Sequence, residues 1–148
     1  LHWMVRRQRQ MCIRDSYPDY VSDTTNEGTT SAASYLTRPV VLDNTSTSLD
    51  IRLTANVRTS SNILVYFRTS AADEVRDIND ISWTAFNSDG SEDTTVIPAE
   101  DDFTFREYKY SASNLNGFEA FQIKIVMTGT ISSYPPKIRD MRGIALAV

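Results

Sequence analysis

Between residues 121 and 127 the apolar side chains fall on every second position. Phe121, Ile123, Ile125 and Met127 alternate with Gln122 and Lys124, and Val126 is the one apolar exception. An extended chain sends successive side chains to opposite faces, so a period of two marks a strand with one buried face. Each of the four, once buried, contributes about 1.5–3 kcal/mol. A second run is cleaner still: Leu49, Ile51, Leu53, Ala55 and Val57 alternate with Asp50, Arg52, Thr54 and Asn56. Ile63-Leu-Val-Tyr-Phe-Arg-Thr69 is apolar on both faces and predicts a central strand covered on both sides. The turn residues 59–62 between these two runs predict that they pair as a hairpin.

The rest of the chain follows the same grammar. A strand is expected over 35–42, with Pro39 marking an edge or a start. Residues 43–46 have turn chemistry. Ala72, Val75 and Ile78 fit one short helical turn. Further strands are expected over 81–86, with Trp83 at least partly buried, and over 96–100 as a short edge piece. Another is expected over 103–111, where apolar parity switches between Phe105 and Tyr108 and implies a bulge. After Pro135-Pro136 a last strand runs from Ile138 to the end at Val148. Gln122 and Lys124 fall on the polar side, and Lys124, Lys137, Arg139 and Arg142 are expected to face solvent or an interface. Seven or eight strands, short turns and almost no helix predict an all-β fold, an antiparallel β-sandwich or jelly roll. There is no internal repeat.

Residues 1–16 stand apart. Arg6-Arg-Gln-Arg-Gln-Met-Cys-Ile-Arg-Asp-Ser16 resembles a translated sequencing-library adapter and is set aside from the fold. On that reading Tyr17 is an internal residue of a longer protein. The alternative is a basic arm whose Arg6, Arg7, Arg9 and Arg14 contact phosphate. Setting the segment aside removes Cys12 and His2, the only cysteine and histidine, and moves the net charge from −4 to −7. Such an acidic domain repels nucleic acid and anionic membrane surfaces. No apolar run approaches the ~20 residues of a membrane span. Residues 17–34 are polar and short of aliphatics, and are expected to form a linker or an arm lying against a neighbouring subunit. Residues 35–148 form the domain.

Without His or Cys, the domain has no Ser-His-Asp, no Cys-His arrangement and no zinc site of the usual kind. The five glycines (28, 90, 117, 129, 143) are scattered, so there is no phosphate loop. Two facing carboxylates could serve a glycosidase, and the candidates are Glu100, Asp101, Asp102, Glu107 and Glu119. As loop charges they read better as solvated surface. Asn87, Asp89, Glu92 and Asp93 around Gly90, and the acids of 73–80, offer hard oxygens for calcium. Neither stretch has the twelve-residue spacing that makes the signal specific. Trp83, Tyr108, Tyr110 and Tyr134 could stack on sugar, though aromatics at strand spacing are mostly core. Tyr134, beside two prolines, is the one expected outside. No catalytic residue, cofactor or metal ligand is assigned.

Phe105-Arg-Glu-Tyr-Lys-Tyr110, Phe118-x-x-Phe121-Gln-Ile-Lys-Ile-Val-Met127 and Pro136-Lys-Ile-Arg-Asp-Met-Arg-Gly-Ile-Ala-Leu-Ala147 resemble the ending of virion structural proteins of marine tailed phages. These are the baseplate and tail-fibre-associated proteins of cyanophage-like viruses. Thr25-Asn-Glu-Gly-Thr-Thr30 and residues 49–58 are similar to the same group. The resemblance spans residues 20–148 and rests on strand sequences, not on active-site signatures. It implies a non-enzymatic building block in a virion tail or baseplate, packed on other virion proteins in an oligomeric assembly. The last two strands are also similar to galactose-binding-like jelly rolls, which keeps a module for host surface glycan as the alternative.

Overall fold

The computed structural model describes residues 31–131 and 133–147. The adapter-like segment and most of the polar arm lie outside them. The described chain forms eight strands and two single-turn 3-10 segments. The strands are β1 (Ser31–Leu36), β2 (Val40–Ser46), β3 (Ser48–Asn56), β4 (Ser61–Ser70), β5 (Thr84–Ala85), β6 (Arg106–Ala112), β7 (Phe118–Gly129) and β8 (Lys137–Leu146). All pairs are antiparallel.

Two sheets face each other. In the larger, β7 lies between β4 on one side and β1 and β2 on the other, and β5 extends β4. β1 and β2 share one lane along β7: Tyr35 stands opposite Ile125, and Val40 opposite Phe121. The smaller sheet has the order β6-β3-β8. The alternating side chains of β3 meet those of β4 and β7 between the sheets. Leu49, Ile51, Leu53, Ile63, Val65, Ile123 and Ile125 are all at most 2% exposed. Phe86 fills the core between Phe67, with ring centroids 4.7 Å apart, and Tyr110, at 6.1 Å. This is an antiparallel β-sandwich of jelly-roll type, and the positions that period two selected on β3 and β7 contribute to its core, with Met127 partly buried.

Several local expectations differ. β3 and β4 do not pair as a hairpin. They lie in different sheets, because each has an apolar face that buries more by facing the other than by sharing an edge. The first strand begins at Ser31, inside the stretch read as an arm, since β7 supplies a hydrogen-bonding partner for it. The helical turn at 72–78 is reduced to a 3-10 turn at Ile78–Asp80, capped by Asp77, and Val75 is 95% exposed. Only Thr84–Ala85 of the expected 81–86 strand pairs with β4. Residues 96–100 form no strand; Ala99 N donates to Val57 O (2.8 Å) and Val96 N to Glu92 Oε2 (3.3 Å). β6 starts at Arg106, so Phe103 and Phe105 precede it. It pairs with β3 from Leu49 to Ala55 without a register shift, and the parity switch reflects where the strand begins, not a bulge.

Candidate interaction surface

Lys124, on the polar side of β7, was expected to face solvent or an interface, and the outer face that β7 shares with β4 is buried instead. Gln122 is 5% exposed, Lys124 1% and Arg68 3%. The cause is the 77–83 segment, which folds back across β4 and β7. Arg68 holds it there. Its Nε donates to Gln122 Oε1 (2.9 Å), Nη1 to the carbonyls of Asn79 and Ile81 (both 3.1 Å), and Nη2 to Asn79 Oδ1 (3.1 Å). The guanidinium lies 4.1 Å from the Trp83 ring centre, and Lys124 Nζ lies 5.2 Å from the same ring and 5.4 Å from Tyr66. Gln122 Nε2 passes the network on to Thr37 O (2.7 Å). A cation over an aromatic face is attracted by the ring quadrupole, and the planar fork of arginine stacks and donates at once. Trp83 is therefore committed to covering the sheet.

At the end of the sandwich where β3 finishes, side chains gather outward. Asn56 Nδ2 donates to the carbonyls of Asp101 and Thr104 (both 2.8 Å), which anchors the 101–104 turn to β3. Inside that turn the Asp101 carboxylate accepts from Phe103 N (2.8 Å), Thr104 N (2.7 Å) and Thr104 Oγ1 (3.1 Å). The Phe103 amide, with the Thr104 hydroxyl and amide, holds the Asp101 carboxyl below its ordinary value. The turn leaves the Phe103 ring 85% exposed, in a loop that also exposes Ile97 at 72%. Asp102 pairs with Arg58 (2.9 Å) and Lys137 (3.6 Å), and Arg58 lies 4.2 Å from the ring centre of Tyr134, which is 39% exposed. Arg139 covers Phe105 at 3.9 Å. An exposed aromatic on a turn fixed by its own acid loses little freedom on contact with a partner, which suits a binding surface.

The other candidate residues scatter. Tyr108 and Tyr110 are core, at 5% and 0% exposed, and burial pushes the Tyr110 hydroxyl well above its usual range. Of the candidate carboxylates, Asp101 closes its turn and Asp102 pairs with Arg58 and Lys137. Glu107, on the outside of the smaller sheet, pairs with Arg142 (2.9 Å) and Arg52 (3.5 Å). Glu119 accepts from Thr45 Oγ1 (3.0 Å) on the larger sheet, and Glu100 is exposed. These acids serve separate partners.

The acids considered for calcium are engaged within their own loops or, for Asp93, by β6 as well. Asp93 accepts from Asn87 Nδ2 (2.9 Å), Ser111 N (3.0 Å) and Ser111 Oγ (2.6 Å). Asp89 accepts from Ser91 N and Oγ, and Glu74 pairs with Arg76. The side-chain hydrogen bond from Arg76 brings the Glu74 carboxyl down to about 2. Among the described residues no three His, Cys, Asp or Glu side chains stand together in a way that could hold a metal ion. Among the same residues, no helix is long and apolar enough to cross a membrane.

No protein-family model and no curated protein matches the chain. Among solved structures it is similar to the enzymatically active domain of tailspike protein 4 of bacteriophage CBA120. That match has 12% identity and a TM-score of 0.44, over 76% of this chain and 14% of the other. It is also similar to a chain of infectious bursal disease virus, Gx strain, at 10% identity and a TM-score of 0.43, over 76% of this chain and 26% of the other. The chain thus spans about a seventh and about a quarter of those two proteins. At this level of likeness neither speaks to what the chain does.

Proposed function

We propose that this chain is a non-enzymatic structural domain of a tailed-phage virion, in the tail or baseplate, acting by packing against other virion proteins. The observation that carries the reading is the presented Phe103. A large apolar ring held 85% exposed on an acid-closed turn buries little against the described residues, whereas in an interface it is the kind of anchor that fills a partner's pocket. The resemblance of 105–110, 118–127 and 136–147 to virion proteins supplies the context, and the separate engagement of the candidate acids is in keeping with a role other than catalysis.

The test is electron microscopy of a phage whose genome carries this sequence, labelled with antibodies raised against residues 31–147. Label on the tail or baseplate supports the reading. Unlabelled particles, with the protein found only in the lysate, overturn it. One observation favours the second reading, a module for host glycan: Tyr134 offers a partly exposed ring with Arg58 over it, and Arg58 pairs with Asp102, which also pairs with Lys137. Aromatic rings stack on sugars and nearby charged groups fix their hydroxyls. Glycan-array binding lost on Tyr134→Ala would establish it, and an array with no signal above background would end it.

A further inference from the structure

Unpaired strand edges invite association, and folded chains usually break or cover them. Three of the four edges in this sandwich are dealt with. The outer lane of the larger sheet is interrupted at 37–39, between β1 and β2, where Pro39 cannot donate. Along its other edge β5 pairs only with Tyr66 and Phe67 of β4, and beside it Val65 N donates to Gly90 O, Ile63 N to Asn62 Oδ1 and Ser61 N to Arg58 O. The β6 edge of the smaller sheet is covered by the loop before it. Asp93 N donates to Lys109 O (2.7 Å), and the Asp93 carboxylate takes the amide and hydroxyl of Ser111. β8 is treated differently. It is ten residues long and, among the described residues, has β3 as its one sheet neighbour. Among the described residues, the one backbone bond it makes outside that pairing is at its last residue, Leu146, whose carbonyl accepts from Thr47 and Ser48.

The side chains of β8 give a reason for the difference. β8 carries one extra residue, Arg139, relative to β3, because Thr54 is opposite Asp140 and Ala55 opposite Ile138. Beyond that bulge, residues 140–146 pair with β3 in unbroken register. Their outer face carries Asp140, Arg142, Ile144 and Leu146, and the two apolar ones are 44% and 48% exposed. One acid and one base make this stretch neutral in a chain of net charge −4, so two copies repel least there.

We infer that two copies of the chain pair edge to edge through residues 140–146, antiparallel about a two-fold axis at Gly143. The axis at Gly143 uses the whole regular stretch. It sets Arg142 opposite Ile144 of the second copy and Asp140 opposite Leu146, so both exposed apolar side chains are covered and no like charges oppose each other. Moving the axis to Arg142 sets two guanidiniums face to face. Moving it to Met141 runs the pairing through the Arg139 bulge in both copies. Moving it to Ile144 strands Asp140 and Met141. With Gly143 at the centre no side chain stands at the axis, and two three-stranded sheets become one of six strands. The inference rests on the packing role proposed above and adds a self-contact to it.

Sedimentation velocity on the full chain over a dilution series tests this, with two variants at one exposed position. Ile144→Glu and Ile144→Lys remove the same apolar side chain and place opposite charges against Arg142 of the second copy, twice per dimer. The dimer of Ile144→Glu should be about tenfold or more tighter than that of Ile144→Lys. The thermal stability of the isolated fold should move the other way, because Asp50 is opposite residue 144 on β3 and favours a lysine there. A wild-type chain that stays monomeric at millimolar concentration overturns the pairing, as does a dimer that responds equally to both charges. Either result leaves the particle-labelling test untouched, so the two readings can fail separately.

Discussion

β7 has two faces, and they are buried by different means. On the inner face Phe121, Ile123 and Ile125 meet β3 through apolar contact alone. On the outer face Gln122 and Lys124 are as deeply buried, under a segment that Arg68 holds by three hydrogen bonds and a stacked indole, with a fourth bond to Gln122 itself. The first face is nondirectional and tolerates what fits. The second depends on geometry, because a buried polar group without its partner costs its desolvation. Period two therefore marks which side chains pack against the other sheet. It does not say that their alternates meet water.

The largest expected effect on that comparison comes from the inner face. Ile125→Ala should cost about 2–5 kcal/mol in denaturant unfolding, through lost transfer energy and a residual cavity. The emission of Trp83 in the folded state should be unchanged. Arg68→Ala should cost about 1–3 kcal/mol, since it strands Gln122 Oε1 and the carbonyls of Asn79 and Ile81. Here Trp83 emission should shift to the red and amides of 77–83 should exchange faster, while the core amides keep their relative order of protection. If Arg68→Ala unfolds core and cover together, the two faces form one cooperative unit and the contrast fails.

A smaller effect, about 1–2 kcal/mol, is expected at Gly90→Ala. Its φ of +88 disfavours any side chain, and a Cβ would lie 3.1 Å from that of Leu64. Acid sharpens the contrast at the covered edge of β6. Burial pushes the Asp93 carboxyl up, but hydrogen bonds from Ser111 and Asn87 outweigh it and the group ends below its ordinary 3.8. A carboxyl lowered in the folded state adds stability that is complete above 3.8 and fades as pH falls through its folded value. Asp93→Asn should therefore flatten the acid limb of a pH–stability curve and leave it unchanged at neutral pH apart from a constant offset. The least effect belongs to Val75→Ala at 95% exposure, within about 0.5 kcal/mol by thermal melt.

The fold was legible because its core is written as alternation. Leu49 to Val57 and Phe121 to Ile125 could face only one way, and the unbroken apolar run of β4 correctly asked for cover on both sides. The cover itself was not legible. Arg68, Gln122 and Lys124 belong to residue types that normally face solvent, and only contact with a segment more than ten positions away buries them. Strand partners were missed for the same reason: 59–62 reads as a turn whether the chain pairs with itself or crosses to the other sheet. The presented Phe103 was taken for a strand residue, although Asp101, two positions before it, carries the signature of a side chain that closes its own turn. That signal was available. The pairing of Arg58 with Tyr134 was not, because it joins two loops.

The chain reaches β1 at Ser31, opposite Thr128, at the pole that carries Phe103, and leaves β8 at Leu146, opposite Ser48, at the other pole. A pull between those two points would slide β1 along β7 and β8 along β3, loading whole ladders of hydrogen bonds in shear instead of peeling them one at a time. Force applied across those two points would meet the sandwich along its mechanically stiff direction.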